Sequence, residues 1–161
     1  MFARIVSTIV LSTALIAMAA GANATNGPSA AAQQRLTPQE YAQLPPTTAT
    51  AGTSGVAGIE TRVLKGKPSS KGLYTILLTV PAHTRIAAHD HPDERVATVI
   101  SGTWYFGYGK TFDERALKAL PPGSFYTEPP GEAHFARTGD TAVVLQITGV
   151  GPTGTTYVKA P

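Results

Sequence analysis

HDHPDERVATVISG (residues 89–102) and GSFYTEPPGEAHFART (residues 123–138) are the two stretches on which the fold turns. The first sets His89 and His91 two positions apart, ahead of a run of β-formers, Val96–Ser101. In an extended chain, positions i and i+2 share a face, about 6.6 Å apart at ~3.3 Å per residue. Two imidazoles so placed can converge on one ion at about 2.0–2.1 Å each. Gly102 closes the run and permits a sharp turn into the next strand, Thr103–Tyr108. In the second stretch, Gly123 and the turn Pro129-Pro130-Gly131 set up a hairpin that brings His134 back toward the interior.

Outward from these stretches the chain reads as short strands separated by turns. Ile59–Leu64 is one strand, GKPSSKG (66–72) is a turn, and LYTILLTV (73–80) is a strand rich in β-formers. Phe112–Leu120 reads as a turn followed by a short strand, cut off by Pro121-Pro122. Ser124–Glu128, Ala133–Arg137, Ala142–Thr148 and Thr155–Val158 complete the set. Such spacing is that of a β-sandwich or barrel, and without an internal repeat it is a single barrel. Before the strands, Thr37-Pro38-Gln39-Glu40 is a helix start: a capping Thr, Pro in the first turn, and Glu three residues after the cap. Leu44-Pro45-Pro46 ends that helix.

Composition narrows the function classes. The chain has 161 residues, which suits one folded domain, and 42% of them are hydrophobic, enough for a packed core. It has no cysteine, which excludes thiol catalysis, disulfides and cysteine-ligated zinc. The net charge is +3, but Lys and Arg are not clustered, so nucleic acid is excluded as an expected partner. At the N-terminus, Arg4, the apolar run Ile5–Ala20 and the small-residue pattern Ala22-Asn23-Ala24 read as a signal peptide over residues 1–24. The run is short for a membrane span. The expected product is a periplasmic or secreted protein with no stable membrane insertion after processing. Residues 25–58 are then a leader carrying the short helix and a loop, and 59–161 the barrel domain.

The two stretches resemble the paired motifs of the cupin superfamily, and the resemblance covers roughly residues 59–158. The first motif has the form H-x-H, three or four residues, an acid, six residues, Gly. The second has the form G, five residues, P-x-G-x-x-H, and Gly123, Pro129, Gly131 and His134 fit every fixed position of it. Thr138 replaces the Asn that closes the motif. The resemblance implies an all-β fold: a cupin-type double-stranded β-helix, or jelly-roll barrel, with the short N-terminal helix added to it. It further implies one divalent metal ion held by His89, His91 and His134, with iron, zinc, manganese, nickel and copper not distinguished, and a homodimer.

At one position the chain departs from the family pattern. Counting back from Gly102 puts Arg95 where the acid ligand belongs, and Glu94 stands one place early. Strand alternation from His91 turns Arg95 inward and Glu94 outward, whereas a bulge at Pro92-Asp93 would reverse them. Two readings stay open. Either Glu94 is a fourth ligand, or three histidines and water hold the metal with Arg95 beside it. An inward Arg95 would line the substrate pocket and grip a carboxylate. An alternative is that it pairs with an acid such as Glu94, Asp93 or Glu128 on the barrel rim. Gln146, on a central apolar strand, is a second pocket candidate. Trp104, Tyr105, Phe106 and Tyr108 read as core and interface, and His83 as a surface residue at a strand end.

The expected function is that of an exported, metal-dependent enzyme acting on a small organic substrate, anionic if Arg95 grips it. Three neutral imidazoles leave coordination positions for O₂ or a chelating substrate, as the resemblance to three-histidine dioxygenases within the superfamily implies. Lyase or isomerase chemistry would use the same ion as a Lewis acid. The alternative is a non-catalytic periplasmic module that binds metal or ligand. A barrel whose role is assembly is a third reading.

Overall fold

Glu60–Lys65 (β1) and Gly72–Val80 (β2) open the barrel as an antiparallel hairpin, in a computed structural model that describes residues 33–47 and 54–159. Along β2, Tyr74, Ile76, Leu78 and Val80 are buried, the period of a strand with one face on a core. Arg85–Asp90 (β3), Arg95–Ser101 (β4), Trp104–Tyr108 (β5) and Lys118–Leu120 (β6) follow. Phe125–Glu128 (β7), His134–Arg137 (β8), Val143–Gly151 (β9) and Thr156–Tyr157 (β10) complete the described strands. They form two five-stranded antiparallel sheets, ordered β1-β2-β9-β4-β7 and β10-β3-β8-β5-β6. The all-β expectation holds. The inner faces share one apolar cluster, in which Tyr74, Ile76, Val99, Leu145 and Ile147 of one sheet meet Ile86, Trp104, Phe106 and Ala136 of the other.

The signal-peptide reading, residues 1–24, lies outside the described residues. The short helix forms over Pro38–Ala42 (α1). Glu40 N–H donates to the Thr37 hydroxyl oxygen, and the Glu40 carboxylate accepts from Thr37 N–H at 2.7 Å, a closed capping box. No helix among the described residues is long and apolar enough to cross a membrane.

Two differences from the sequence expectation matter for the site. β3 is absent from the strands read along the chain, because Ile86 is the one β-former in Arg85–Asp90. It is a strand because β8 and β10 pair with it on either side. β9 runs three residues past Thr148, since it pairs with β2 along its whole length, from Val143↔Val80 to Gly151↔Gly72.

Candidate metal centre

His89 lies on β3 directly opposite His134 on β8, and directly opposite residues of an antiparallel pair share a face. Their ring centroids are 4.4 Å apart. His91 follows the end of β3 and keeps the i+2 facing, with its ring 5.0 Å from that of His89 and 5.2 Å from that of His134. All three are buried, and their facing nitrogens lie within 4.8 Å of one another.

The backbone fixes which nitrogens face inward. His89 Nδ1 meets the carbonyl of Ala87 at 2.8 Å, and His134 Nδ1 meets that of Glu132 at 3.2 Å. Each ring folds back on the carbonyl two residues before it. His91 Nδ1 instead meets the carbonyl of Gly154, at 2.5 Å, in the segment leading to β10. A carbonyl oxygen only accepts, so each Nδ1 carries the proton and each Nε2 keeps its lone pair. Burial, reinforced by neighbouring positive groups, holds His89 down to about 4 and His91 to about 3, and burial lowers His134 as well. The rings are therefore neutral at pH 7. His134 Nε2 is fully buried and has no hydrogen-bond partner, a cost that an ion would remove. Two nitrogens on one ion stand at most about 4.2 Å apart, so small ring rotations close the set. The residues present fit a divalent metal.

Arg95 and Glu128 complete the surroundings. They are register partners across β4 and β7, and both are buried. Arg95 Nε donates to Glu128 Oε2 at 2.6 Å, and an Arg95 NH2 hydrogen donates to the same oxygen. Arg95 NH2 also donates to His91 Nε2 at 2.9 Å. Glu128 Oε2 lies 3.6 Å from His91 Nε2, and Oε1 lies 3.8 Å from His134 Nε2. With neutral imidazoles these are close approaches and not ion pairs. Burial alone would raise the Glu128 carboxyl. The Arg95 guanidinium, with His134 and His91 behind it, outweighs burial and holds it at about 2. Burial would likewise lower Arg95, and Glu128 reverses that, so both groups are charged.

The remaining candidates divide. Glu94 is exposed and stands outside the histidine group, which argues against it as a fourth ligand. The reason is unbroken alternation: Asp93 is buried and accepts from the Tyr74 hydroxyl at 2.7 Å, Glu94 is out, and Arg95 is in. Arg95 lines the cavity, but its pairing with Glu128 is buried at the centre and not on the rim. Gln146 is exposed and lines no part of the cavity, because Leu145 and Ile147 on either side of it face the core. His83 is exposed, 3.7 Å from Asp140. Glu128 is one of the three acids that the sequence reading offered as a rim partner for Arg95. Its burial was signalled by Tyr126 two positions before it, on the same face of β7.

The cavity is small, about 30 Å³, room for one or two water-sized groups. Ile86, Phe106, Tyr126 and Ile147 supply apolar wall. Ser54, in the stretch read as leader, also lines it, and its carbonyl accepts from the Tyr157 hydroxyl at 2.7 Å. Tyr157 stands opposite His89 in register, with ring centroids 5.3 Å apart.

No protein-family description and no curated protein matches the chain. Solved structures do. The polyketide cyclase RemF from Streptomyces resistomycificus aligns with a TM-score of 0.62 at 15% identity, over 81% of this chain and 88% of that one. The DMSP lyase DddQ from Ruegeria pomeroyi aligns with 0.58 at 21%, over 74% and 64%. An RmlC-like cupin from Shewanella frigidimarina aligns with 0.52 at 17%, over 68% and 85%. The chain spans 53% of the length of a further DMSP lyase structure that it matches. At these identities the likeness concerns the fold. Two facing antiparallel sheets, a histidine group on the inner face and these neighbours together show that the chain has the double-stranded β-helix fold of the cupin superfamily.

Proposed function

We propose that the protein is an exported, metal-dependent cupin enzyme that acts on a small organic molecule. One observation carries the reading. Three neutral imidazoles aim Nε2 lone pairs at a common point, and each is locked by its own backbone carbonyl. Carbonyl partners of this kind orient metal-ligating histidines and raise their basicity. A bound divalent ion would supply Lewis acidity toward a substrate oxygen, or a site for O₂.

The chain's own residues do the rest. His89, His91 and His134 would hold the ion. The apolar walls from Ile86, Phe106, Tyr126 and Ile147 exclude water and strengthen every electrostatic contact inside. Arg95 is committed to Glu128, so the geometry does not favour an anion-gripping role for it and the proposed substrate is a small organic molecule. Structural neighbours include a lyase and a cyclase, which supports chemistry other than oxygenation as well.

Metal analysis of the purified protein, with equilibrium dialysis, tests the centre. One divalent ion per chain is expected, lost in His134→Ala. Unchanged affinity in that variant would refute convergence of the three rings. Catalysis is tested by turnover of small carbonyl and carboxylate compounds, with O₂ uptake followed, before and after chelation and reloading. A tightly bound ion with no exchangeable coordinated water by proton relaxation, and no turnover, would favour the non-catalytic module instead.

A further inference from the structure

The carboxylate nearest the histidines comes from neither position at which the sequence suggested a ligand. Arg95 and Glu128 face each other across β4 and β7, so both enter the cavity from the same sheet. Glu128 Oε2 is engaged by Arg95, while Oε1 lies on the His134 side. Donor atoms that share one ion at about 2.0–2.2 Å stand about 3.0–4.4 Å apart, from adjacent to opposite positions. The 3.8 Å from Oε1 to His134 Nε2 falls inside that range, while the 3.6 Å approach to His91 Nε2 is made by Oε2, the oxygen that Arg95 holds. His134 Nε2, the buried atom without a hydrogen-bond partner, is the one that Oε1 approaches.

Arg95 has a second consequence. Its NH2 group donates to the Nε2 lone pair of His91 at 2.9 Å, the lone pair an ion would need. Guanidinium and ion exclude each other at that atom. A dication beside an uncompensated buried guanidinium would also be a costly pair of like charges. Glu128 lies where it can serve both cations, one oxygen to each.

Resting on the metal reading above, we propose that Glu128 is the anionic donor of this metal centre and that Arg95 is a built-in competitor which the ion must displace from His91. The carboxylate is thus supplied across the sheet, from β7, to a site whose own β4 position carries the opposite charge. Loading would be an exchange in which His91 Nε2 and Glu128 Oε1 would hold the ion while Arg95 stays on Glu128 Oε2.

Zn²⁺ affinity by competition with a chromophoric chelator, and the visible spectrum of the Co²⁺ form, test this without any substrate. Glu128→Gln should weaken Zn²⁺ binding by about tenfold or more, a loss at the lower end of what removing a group next to a metal costs, and should change the Co²⁺ spectrum. Arg95→Met should tighten binding by a similar factor. Because Glu128→Gln strands a buried guanidinium and can unfold the protein, the double variant Arg95→Met/Glu128→Gln asks the same question with neither charge of the pair left. It should bind more weakly than Arg95→Met alone, again by about tenfold or more. Smaller losses in both backgrounds, with an unchanged Co²⁺ spectrum, overturn Glu128 as a donor. Arg95→Met binding no tighter than the unmodified protein overturns the competition. If binding needs His134 but ignores Glu128, this proposal fails alone. If no folded variant binds Zn²⁺ or Co²⁺, it fails together with the metal reading.

Discussion

His89, His91, His134 and Glu128 all have folded pKa values below their unfolded ones, so the acid response of the metal-free protein has a definite sign. Unfolded histidine takes its proton near 6.5, but His89 takes it only near 4 and His91 near 3. Between those values the unfolded chain binds more protons. Stability is therefore complete above about pH 6.5 and is lost as pH falls toward 4 and then 3. Each of these two groups contributes roughly 3–5 kcal/mol over its full window. Glu128 adds a loss of the same sign between 4.5 and about 2. The expected outcome is a urea midpoint, measured on chelator-treated protein, that drops steadily from pH 7 to pH 4. A midpoint that stays flat over that range would show that the rings protonate without opening the fold.

At the scale of elements, the turn between β4 and β5 is a tight constraint on the strands that carry site residues. Gly102 has φ +75°, and a Cβ there would lie 2.4 Å from the Ala142 carbonyl oxygen. Gly102→Ala therefore carries both a left-handed backbone and a clash with main chain, which a side-chain rotation cannot relieve. A loss of roughly 1–3 kcal/mol or more is expected, read as a lower urea midpoint. An unchanged midpoint would mean that the turn relaxes at no cost. The turn matters to function because β4 holds Arg95 and β5 holds Phe106, which lies 4.2 Å from Tyr126 and 5.3 Å from His134 by ring centroids. Strand alternation was readable along β4, and it put Arg95 inward and Glu94 outward. β3 was not readable, because its strand character comes from β8 and β10 and not from its own residues.

For the whole molecule, we propose a homodimer and export with cleavage after Ala24. Leu73 and Val150 are cross-strand partners on β2 and β9, and both are more than half exposed. Two apolar side chains side by side on an outer sheet face suit a two-fold contact with the same face of a second copy. Light scattering should give twice the chain mass, and Leu73→Lys should shift the protein toward monomer. A monomer at every concentration would refute pairing. Intact mass of exported material should match a chain that begins at Thr25. A mass corresponding to all 161 residues would refute cleavage.

The sequence by itself determined the all-β fold class, through strand periodicity, and singled out the three histidines that the fold brings together. Those features are local. A two-residue period says which face a side chain takes, and glycine and proline say where a strand must turn. Tertiary structure alone decided the partners. Arg95 meets Glu128 across 33 positions, and His91 meets the Gly154 carbonyl across 63. Gln146 looked like a pocket residue on a central strand until Leu145 and Ile147 took the inward face. The physical reason is that pairing depends on which strands lie side by side and in what register. That is set when both sheets close around one core, and no single strand encodes it.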